Sequence, residues 1–428
     1  MVPLSAVADV NLPGRMKAIE VDKEVGTPFL SASQVFEIRP TPRKWLAVRK
    51  TPNAEDLVAP RGTILVSRSG NVGRVIAANS KHAGMLLTDD LFRVTPLRES
   101  ARGWIYACLS SPAVRSMMVS AQYGHVVKHL QPSHLRDLPV PVQSVTDLRR
   151  FERGFERALE YRDGAHECLL AAERILLDRL PSLNAPSERM FTLDSLSIDS
   201  GRRRLEGSYH APEPRAIIAA MQRDADAVVQ LRDVTDGIWW MSRYRRTFGS
   251  AGFPYASADD LFSVGLRSQK RVLLPKDKAE TYRAKPGWIV MACSGQTYGL
   301  LGASILIQEE QSSLVLTHDL LRIVPSPTEV RPAFLAAFLG HPQLGRVLAT
   351  RYAYGTSVPH LEPSDIAEVP VPRFDDGAEK QVADLLQEST QMTQRAEDAE
   401  AELIRSADRD VRVAAGLAGD AAGSGTAF

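Results

Sequence analysis

One stretch of this chain occurs twice, and that constrains its fold more than any other feature. Gly62-Thr63-Ile64-Leu65-Val66-Ser67-Arg68-Ser69-Gly70-Asn71-Val72-Gly73 reads as a buried strand entering a glycine-punctuated turn. Gly287-Trp288-Ile289-Val290-Met291-Ala292-Cys293-Ser294-Gly295-Gln296-Thr297-Tyr298-Gly299 reads the same way. The flanking phrases repeat in order. Upstream, Gly26-Thr27-Pro28-Phe29-Leu30-Ser31-Ala32 matches Gly252-Phe253-Pro254-Tyr255-Ala256-Ser257-Ala258; downstream, Leu91-Phe92-Arg93-Val94 matches Leu320-Leu321-Arg322-Ile323. The closing phrase is the strongest match. Tyr123-Gly124, His129-Leu130-Gln131-Pro132-Ser133 and Leu138-Pro139-Val140-Pro141 answer Tyr354-Gly355, His360-Leu361-Glu362-Pro363-Ser364 and Val369-Pro370-Val371-Pro372. The numbering shift drifts only from 225 (Ser294 minus Ser69) to 231 (His360 minus His129). The 428 residues therefore read as two related units, each long enough to bury a core.

Composition narrows the function classes. A hydrophobic content of 44% with 24% charged residues is that of an ordinary globular protein. The net charge of +1 means that any surface for a polyanion arises from segregated charge, not from excess. Cys108, Cys168 and Cys293 form no Cys-x-x-Cys pair, which argues against a disulfide framework or a structural zinc and suits a reducing cytoplasm. The chain opens with no charged stretch followed by an apolar core, and no run approaches the roughly 18 apolar residues of a spanning helix. A soluble cytoplasmic protein without a membrane role is expected.

The first copy, residues 1–143, opens with basic residues in Pro-rich, loop-like phrasing: Arg39, Arg43, Lys44, Arg49 and Lys50, with Trp45 among them. That mixture suits phosphate contact, and equally a solvated face. Strands are expected at 63–67, 74–78 and 91–95 and short helices at 104–109 and 113–120. From about Ser144 the pattern changes. Leu148, Phe151, Phe155, Leu159, Leu169, Leu176 and Leu180 recur at three- and four-residue steps, predicting one long helix that Pro181 ends. Gly154 and Gly164 each weaken it by about 1 kcal/mol relative to Ala, so packing on a partner has to stabilise it.

The second copy opens with Arg202-Arg203-Arg204 through His210 and a short amphipathic helix near 216–221, neither of which the first copy matches. Either the first copy is shorter by design or its true start lies upstream. Trp239, Trp240, Arg243, Tyr244, Arg245 and Arg246 follow, then Arg267, Lys270, Arg271, Lys276 and Lys278. Aromatics interleaved with arginine are the densest nucleic-acid-like signal in the chain, although both tryptophans are also compatible with a core. After Pro372, Val382, Leu385, Met392, Ala396, Ala399 and Leu403 fall at near-heptad spacing, predicting a second long helix. The Ala-, Gly- and Ser-rich tail reads as disordered.

The strand-turns at Gly62 and Gly287, the His-Leu-x-Pro-Ser phrases, the Pro-Val-Pro closures and the helix after each together resemble the specificity subunits of type I restriction-modification systems. The resemblance implies an α+β chain of two target-recognition-like domains, at 1–143 and 201–374. Each is followed by a long spacer helix, at 144–182 and 375–411, and the two helices pack as an antiparallel coiled coil; 183–200 is a linker and 412–428 a disordered tail. It also implies double-stranded DNA, methyltransferase subunits and a translocating restriction subunit as partners, with each domain reading half of a split target. The residues expected at DNA are Arg39, Arg43, Lys44, Arg49 and Lys50, and Arg243, Tyr244, Arg245, Arg246, Arg267, Lys270 and Arg271. Alternatives are a specificity or adaptor subunit of another DNA-targeting phage-defence system, or a nuclease.

Catalytic wording is not found. Ser69 and Ser294 precede glycines without a Gly-x-Ser-x-Gly elbow, and Gly70-Asn71-Val72-Gly73 lacks the Gly-Lys-Ser/Thr ending of a phosphate loop. No Asn-Pro-Pro-Tyr or Asp-Pro-Pro-Tyr tetrapeptide of an amino-methyltransferase is present. His125, His129 and His134 lie close together without acidic or Cys partners at ligand spacing. Only His129 recurs, as His360, and its expected role is to fix a turn or helix entry. Ser133 and Ser364 read as helix N-caps. No catalytic residue, cofactor or metal is expected.

Overall fold

The computed structural model describes residues 1–16, 18–50, 53–121, 129–184, 190–193, 198, 204–265 and 270–417. Tyr123, Gly124, His125, Arg202, Arg203 and Arg267 therefore lie outside the described residues, as does the tail from residue 418. The chain forms two compact units, one from Met1–His166 with the chain from Thr390 onward, the other from Glu167–Ser389.

Unit 1 contains strands β1 (Val2–Pro3), β2 (Ala8–Asn11), β3 (Glu20–Val21), β4 (Thr27–Leu30), β5 (Lys44–Leu46), β6 (Ile64–Ser67), β7 (Val75–Ala77), β8 (Leu86–Leu87) and β9 (Leu91–Pro96). Helices α1 (Arg102–Ser110), α2 (Pro112–Ala121) and α3 (Pro132–Arg136) follow, then β10 (Pro139–Val140) and the long α4 (Val145–Asp178), whose residues from Glu167 on belong to unit 2. Unit 2 contains α5 (Pro212–Asp224), β11 (Ala227–Gln230), β12 (Thr235–Trp240), β13 (Phe248–Ala256), β14 (Arg271–Val272), β15 (Ile289–Ala292), β16 (Ser304–Leu306), β17 (Val315–Leu316) and β18 (Leu320–Pro325). Its main helices are α6 (Pro332–Gly340), α7 (Gly345–Thr350) and α8 (Pro363–Ile366), then β19 (Pro370–Arg373) and the long α9 (Asp376–Ala414), whose residues from Thr390 on belong to unit 1.

The repeat in sequence is a repeat in topology. The central sheet of unit 1 runs β2-β9-β6-β7, and that of unit 2 runs β12-β18-β15-β16. Each of β6 and β15 is buried along its whole length, as a strand flanked on both sides in a covered sheet must be. Beside it, β4 pairs β8 in parallel and β5 antiparallel, as β13 pairs β17 and β14. The ribbons β1-β10 and β11-β19 close each unit, with Leu4 N donating to Leu138 O at 2.8 Å and Leu231 N to Val369 O at 2.9 Å. Residues 2–140 thus match the second copy from β11 onward, while α5 has no counterpart in them.

Arg93 on β9 and Arg322 on β18 are buried at equivalent positions. Arg93 Nη1 donates to Thr88 O (3.0 Å) and Leu91 O (2.6 Å), and Nη2 to Leu87 O (3.3 Å). Arg322 Nη1 donates to Thr317 O (3.2 Å) and Leu320 O (2.7 Å), and Nη2 to Tyr282 O (2.9 Å). Burial pulls both guanidinium groups down to about 10. These arginines staple the backbone beside each central sheet by donating to several carbonyls at once, Tyr282 O being shared with Leu316 N.

The long helices pack antiparallel. In unit 1, a Cβ on Gly154 would sit 2.7 Å from Leu403 Cδ2, and one on Gly164 2.8 Å from Met392 Sδ. The two glycines that weaken α4 in isolation are therefore the points of its close approach to α9. Arg162 and Glu400 form a buried bidentate pair at 2.9 and 2.6 Å between them. Within unit 2, Ala172, Leu176 and Leu180 of the α4 stretch share the core with Ala378, Val382 and Ala383. Ser144 caps α4 by accepting from Asp147 N at 3.1 Å. Gly103 is fixed by crowding, since a Cβ there would lie 2.4 Å from Phe151 O.

Two expectations change. Ser133 and Ser364 are not N-caps: Pro132 and Pro363 occupy the first helical position, so Gln131 and Glu362 precede the helices. Gly73 corresponds to Gly302, not Gly299. Gly73 N donates to Ser67 O (3.0 Å) as Gly302 N does to Ala292 O (2.9 Å), and their φ angles are 73° and 74°. No helix among the described residues is long and apolar enough to cross a membrane.

Candidate nucleic-acid interface

The basic stretch after β12 is a loop held from within. Tyr244 is buried, its ring 4.3 Å from that of Tyr282 and its hydroxyl 3.4 Å from Leu316 O. Tyr282 in turn donates to Ser242 O at 2.8 Å. Arg243, Arg245 and Arg246 are left exposed around that anchor. Arg246 Nη1 donates to Tyr255 Oη at 3.1 Å, which keeps one edge of the guanidinium fixed and the other open to solvent. Tyr244 is thus a core anchor, not a surface aromatic. Trp239 packs edge-on against Trp288 at 5.3 Å, whereas Trp240 at the strand end is 39% exposed.

His318 records the positive field of this loop. Burial lowers its pKa first; Asp319 opposes that, and Arg243, Arg246 and Arg322 lower it further.

Lys270, just before β14, and Arg271, on it, stand beside the loop. Tyr255 N donates to Lys270 O at 3.0 Å, and Arg271 faces Pro254 in the register. Lys270 is exposed; Arg271 is half-buried with its Nε unpaired. In unit 1, Lys44 faces Phe29 and Trp45 faces Pro28. Since Phe29 pairs Leu86 as Tyr255 pairs Val315, Lys44 and Lys270 are equivalent. Residues singled out by charge alone thus share one strand of the repeat, and the shift between them (270 minus 44, 226) is that between Gly26 and Gly252.

The other first-copy residues differ in how committed they are. Arg43 is held by Glu37 at 2.6 Å, with both side chains largely covered. Lys44 pairs with Glu20 at 3.0 Å in full solvent, an interaction of little strength. Arg39 is half-buried. Arg49 and Lys50, on the short turn Val48–Lys50, are exposed.

A repeated side-chain clasp fixes the end of each central sheet. Ser69 Oγ lies 2.7 Å from His129 Nδ1, and Ser294 Oγ 2.8 Å from His360 Nδ1. Backbone bonds run alongside, Leu130 N to Arg68 O and Leu361 N to Cys293 O, both 3.0 Å. Ser69 also donates to Asp90 Oδ1 at 2.7 Å. A hydroxyl has one proton, so with Asp90 accepting it the His129 ring has to present Nδ1–H to the serine. That is a clasp, not a base activating a nucleophile. Burial pushes the Cys108 and Cys293 thiols up to about 12, which makes them inert. No group of three His, Cys, Asp or Glu suited to a metal occurs among the described residues.

Three solved structures are similar to the chain over most of its length. The type I restriction-modification system S subunit from M. genitalium shares 13% identity, covering 96% of this chain and 94% of that one, with a TM-score of 0.36. The HsdS subunit from Thermoanaerobacter tengcongensis shares 15%, covering 98% and 96%, with a TM-score of 0.28. A chain from a structure of type I R-M complex assembly and conformational transition shares 12%, covering 94% and 97%, with a TM-score of 0.29. No family model and no curated protein matches. At TM-scores of this size, what the chain does has to be read from its own residues.

Proposed function

We propose that this chain is a non-catalytic, sequence-specific DNA-binding specificity subunit acting in the cytoplasm. Residues 1–143 and 201–374 are its two target recognition domains, each reading half of a bipartite duplex site. The helices over 144–182 and 375–411 are spacers that also dock methyltransferase subunits and, in a full complex, a translocating restriction subunit. The observation that carries this reading is the duplication of one architecture. The same sheet order, staple arginine, Ser–His clasp and basic strand occur twice in one chain. A chain that presents one kind of contact twice is suited to two contacts of one kind. The connecting helices, 34 and 39 residues long, would extend roughly 50 and 60 Å at 1.5 Å per residue, more than one turn of duplex at about 34 Å.

In this reading Arg49, Lys50, Arg243, Arg245, Arg246, Arg267 and Lys270 neutralise phosphates. Arg39, Arg43 and Lys44 support them in unit 1 and Arg271 in unit 2, and Tyr244 holds its loop in shape. The test is selection of random duplexes by the full chain with its methyltransferase partner. Enrichment of a split motif, two short defined halves around an undefined spacer, is expected; enrichment of a single continuous motif, or of none, contradicts the reading.

A further inference from the structure

The turn that follows the central strand is anchored alike in the two units and differs at its tip. The anchor is the same backbone closure, Gly73 N to Ser67 O and Gly302 N to Ala292 O, with the same clasp, Ser69 to His129 and Ser294 to His360. Between the closing residues, unit 1 has five residues (68–72) and unit 2 has nine (293–301). The surplus makes a second small turn, Gly299 N donating to Gln296 O at 2.7 Å, with Thr297 and Tyr298 exposed at its apex. Tyr298 is 65% exposed.

The longer tip is braced. Gly295 N donates to Pro359 O at 3.1 Å and Gln296 Nε2 to Ser357 O at 2.8 Å, so the tip rests against the neighbouring stretch 355–359. In unit 1 the shorter tip presents exposed Gly70 and Asn71, and Arg115 Nη2 donates to Asn71 Oδ1 at 3.3 Å. That leaves Asn71 a lone pair on Oδ1 and both Nδ2 protons. The basic loop belongs to the same end of the sheet in unit 2. Trp240, the last residue before that loop, pairs Leu321, the neighbour of the Leu320 that pairs Ala292, and Cys293 N donates to Asp319 O at 3.2 Å.

We infer that these tips, Asn71 in unit 1 and Thr297–Tyr298 in unit 2, are the base-reading elements of the two units. A constant anchor with a variable, uncharged tip is what two different half-sequences require of one fold. An Asn amide matches the paired donor and acceptor of adenine in the major groove, and a tyrosine offers a hydroxyl for a base edge and a ring for a thymine methyl. The neighbouring arginines supply attraction without sequence information.

This inference rests on the proposed function, and one experiment separates the two. Binding of the full chain to its selected duplex and to random duplex is measured across a range of salt for the wild type, Tyr298→Ala and Asn71→Ala. Each variant is expected to lose about 10- to 100-fold of its preference for the selected site, through one half-site only and a different half for each. The slope of log Kd against log salt should stay at the wild-type value, because neither tip is charged. Wild-type selectivity unaltered in both variants overturns the tip assignment alone. A wild type with no selectivity overturns the proposed function and the tip assignment together. Loss of random-duplex binding in step with selected-site binding assigns the tips to affinity, not reading, and also overturns the inference.

Discussion

Replacing Arg162 with methionine is expected to destabilise the protein by about 3–5 kcal/mol, the cost of leaving one member of a buried ion pair without its partner. The Arg162 side chain is 2% exposed and that of Glu400 11%, so the stranded carboxylate has little access to water. Burial works against the Arg162 charge, but Glu400, its hydrogen bonds and Glu397 outweigh that and hold its pKa raised. Both partners lie on the long helices within unit 1, which makes the pair a register mark for their packing. Glu400→Leu alone should cost a similar amount. The double variant Arg162→Met/Glu400→Leu should recover most of the loss, since two apolar side chains of similar volume leave no charge unpaired. Denaturant unfolding of the three variants checks this; two single losses that simply add in the double variant would show that the pair is not coupled.

Simultaneous Arg243→Ala, Arg245→Ala and Arg246→Ala replacement should have the largest effect on DNA. Each arginine that neutralises a phosphate contributes about 0.9 to the slope of log K on log salt, so the slope should fall by up to about 2.7. Affinity near 0.1 M salt should drop by about 100- to 1000-fold, for selected and random duplex alike. These side chains are solvent-facing on a loop held by Tyr244 and Tyr282, so folding should be preserved. Arg43→Ala is expected to do much less, because Glu37 already holds that guanidinium at 2.6 Å. An unchanged slope in the triple variant would remove this loop from the interface.

Much of the architecture was legible because duplicated wording survives in strands and their exits. The phrases at Gly62 and Gly287 became β6 and β15, and the Pro-Val-Pro closures became β10 and β19. The heptad-like spacing after Pro372 became a helix of 39 residues. What spacing does not carry is which polar side chain turns inward. Arg93 and Arg322 look like any surface arginine in a sequence, yet they are gathered in by backbone carbonyls several residues away. Tyr244 sits between arginines and is nevertheless core. The glycine at 299 invited alignment with Gly73, because sequence shows a glycine but not its φ; the equivalent positive-φ residue is Gly302. Gly154 and Gly164 looked like weak points of a helix until its partner supplied Leu403 and Met392. By contrast, the equivalence of Lys44 and Lys270 is already carried by the shift of 226 that Gly26 and Gly252 share, and the strand register agrees with it.

The central claim, that one chain directs modification to a split site through two recognition units, is tested most directly by mapping methylated adenines in the host genome. The map is compared with this chain present, deleted, and carrying a foreign segment in place of residues 201–374. Methylation at a bipartite motif that vanishes on deletion, and that changes in one half only on exchange, is the predicted result. Methylation that persists unchanged without the chain would contradict it.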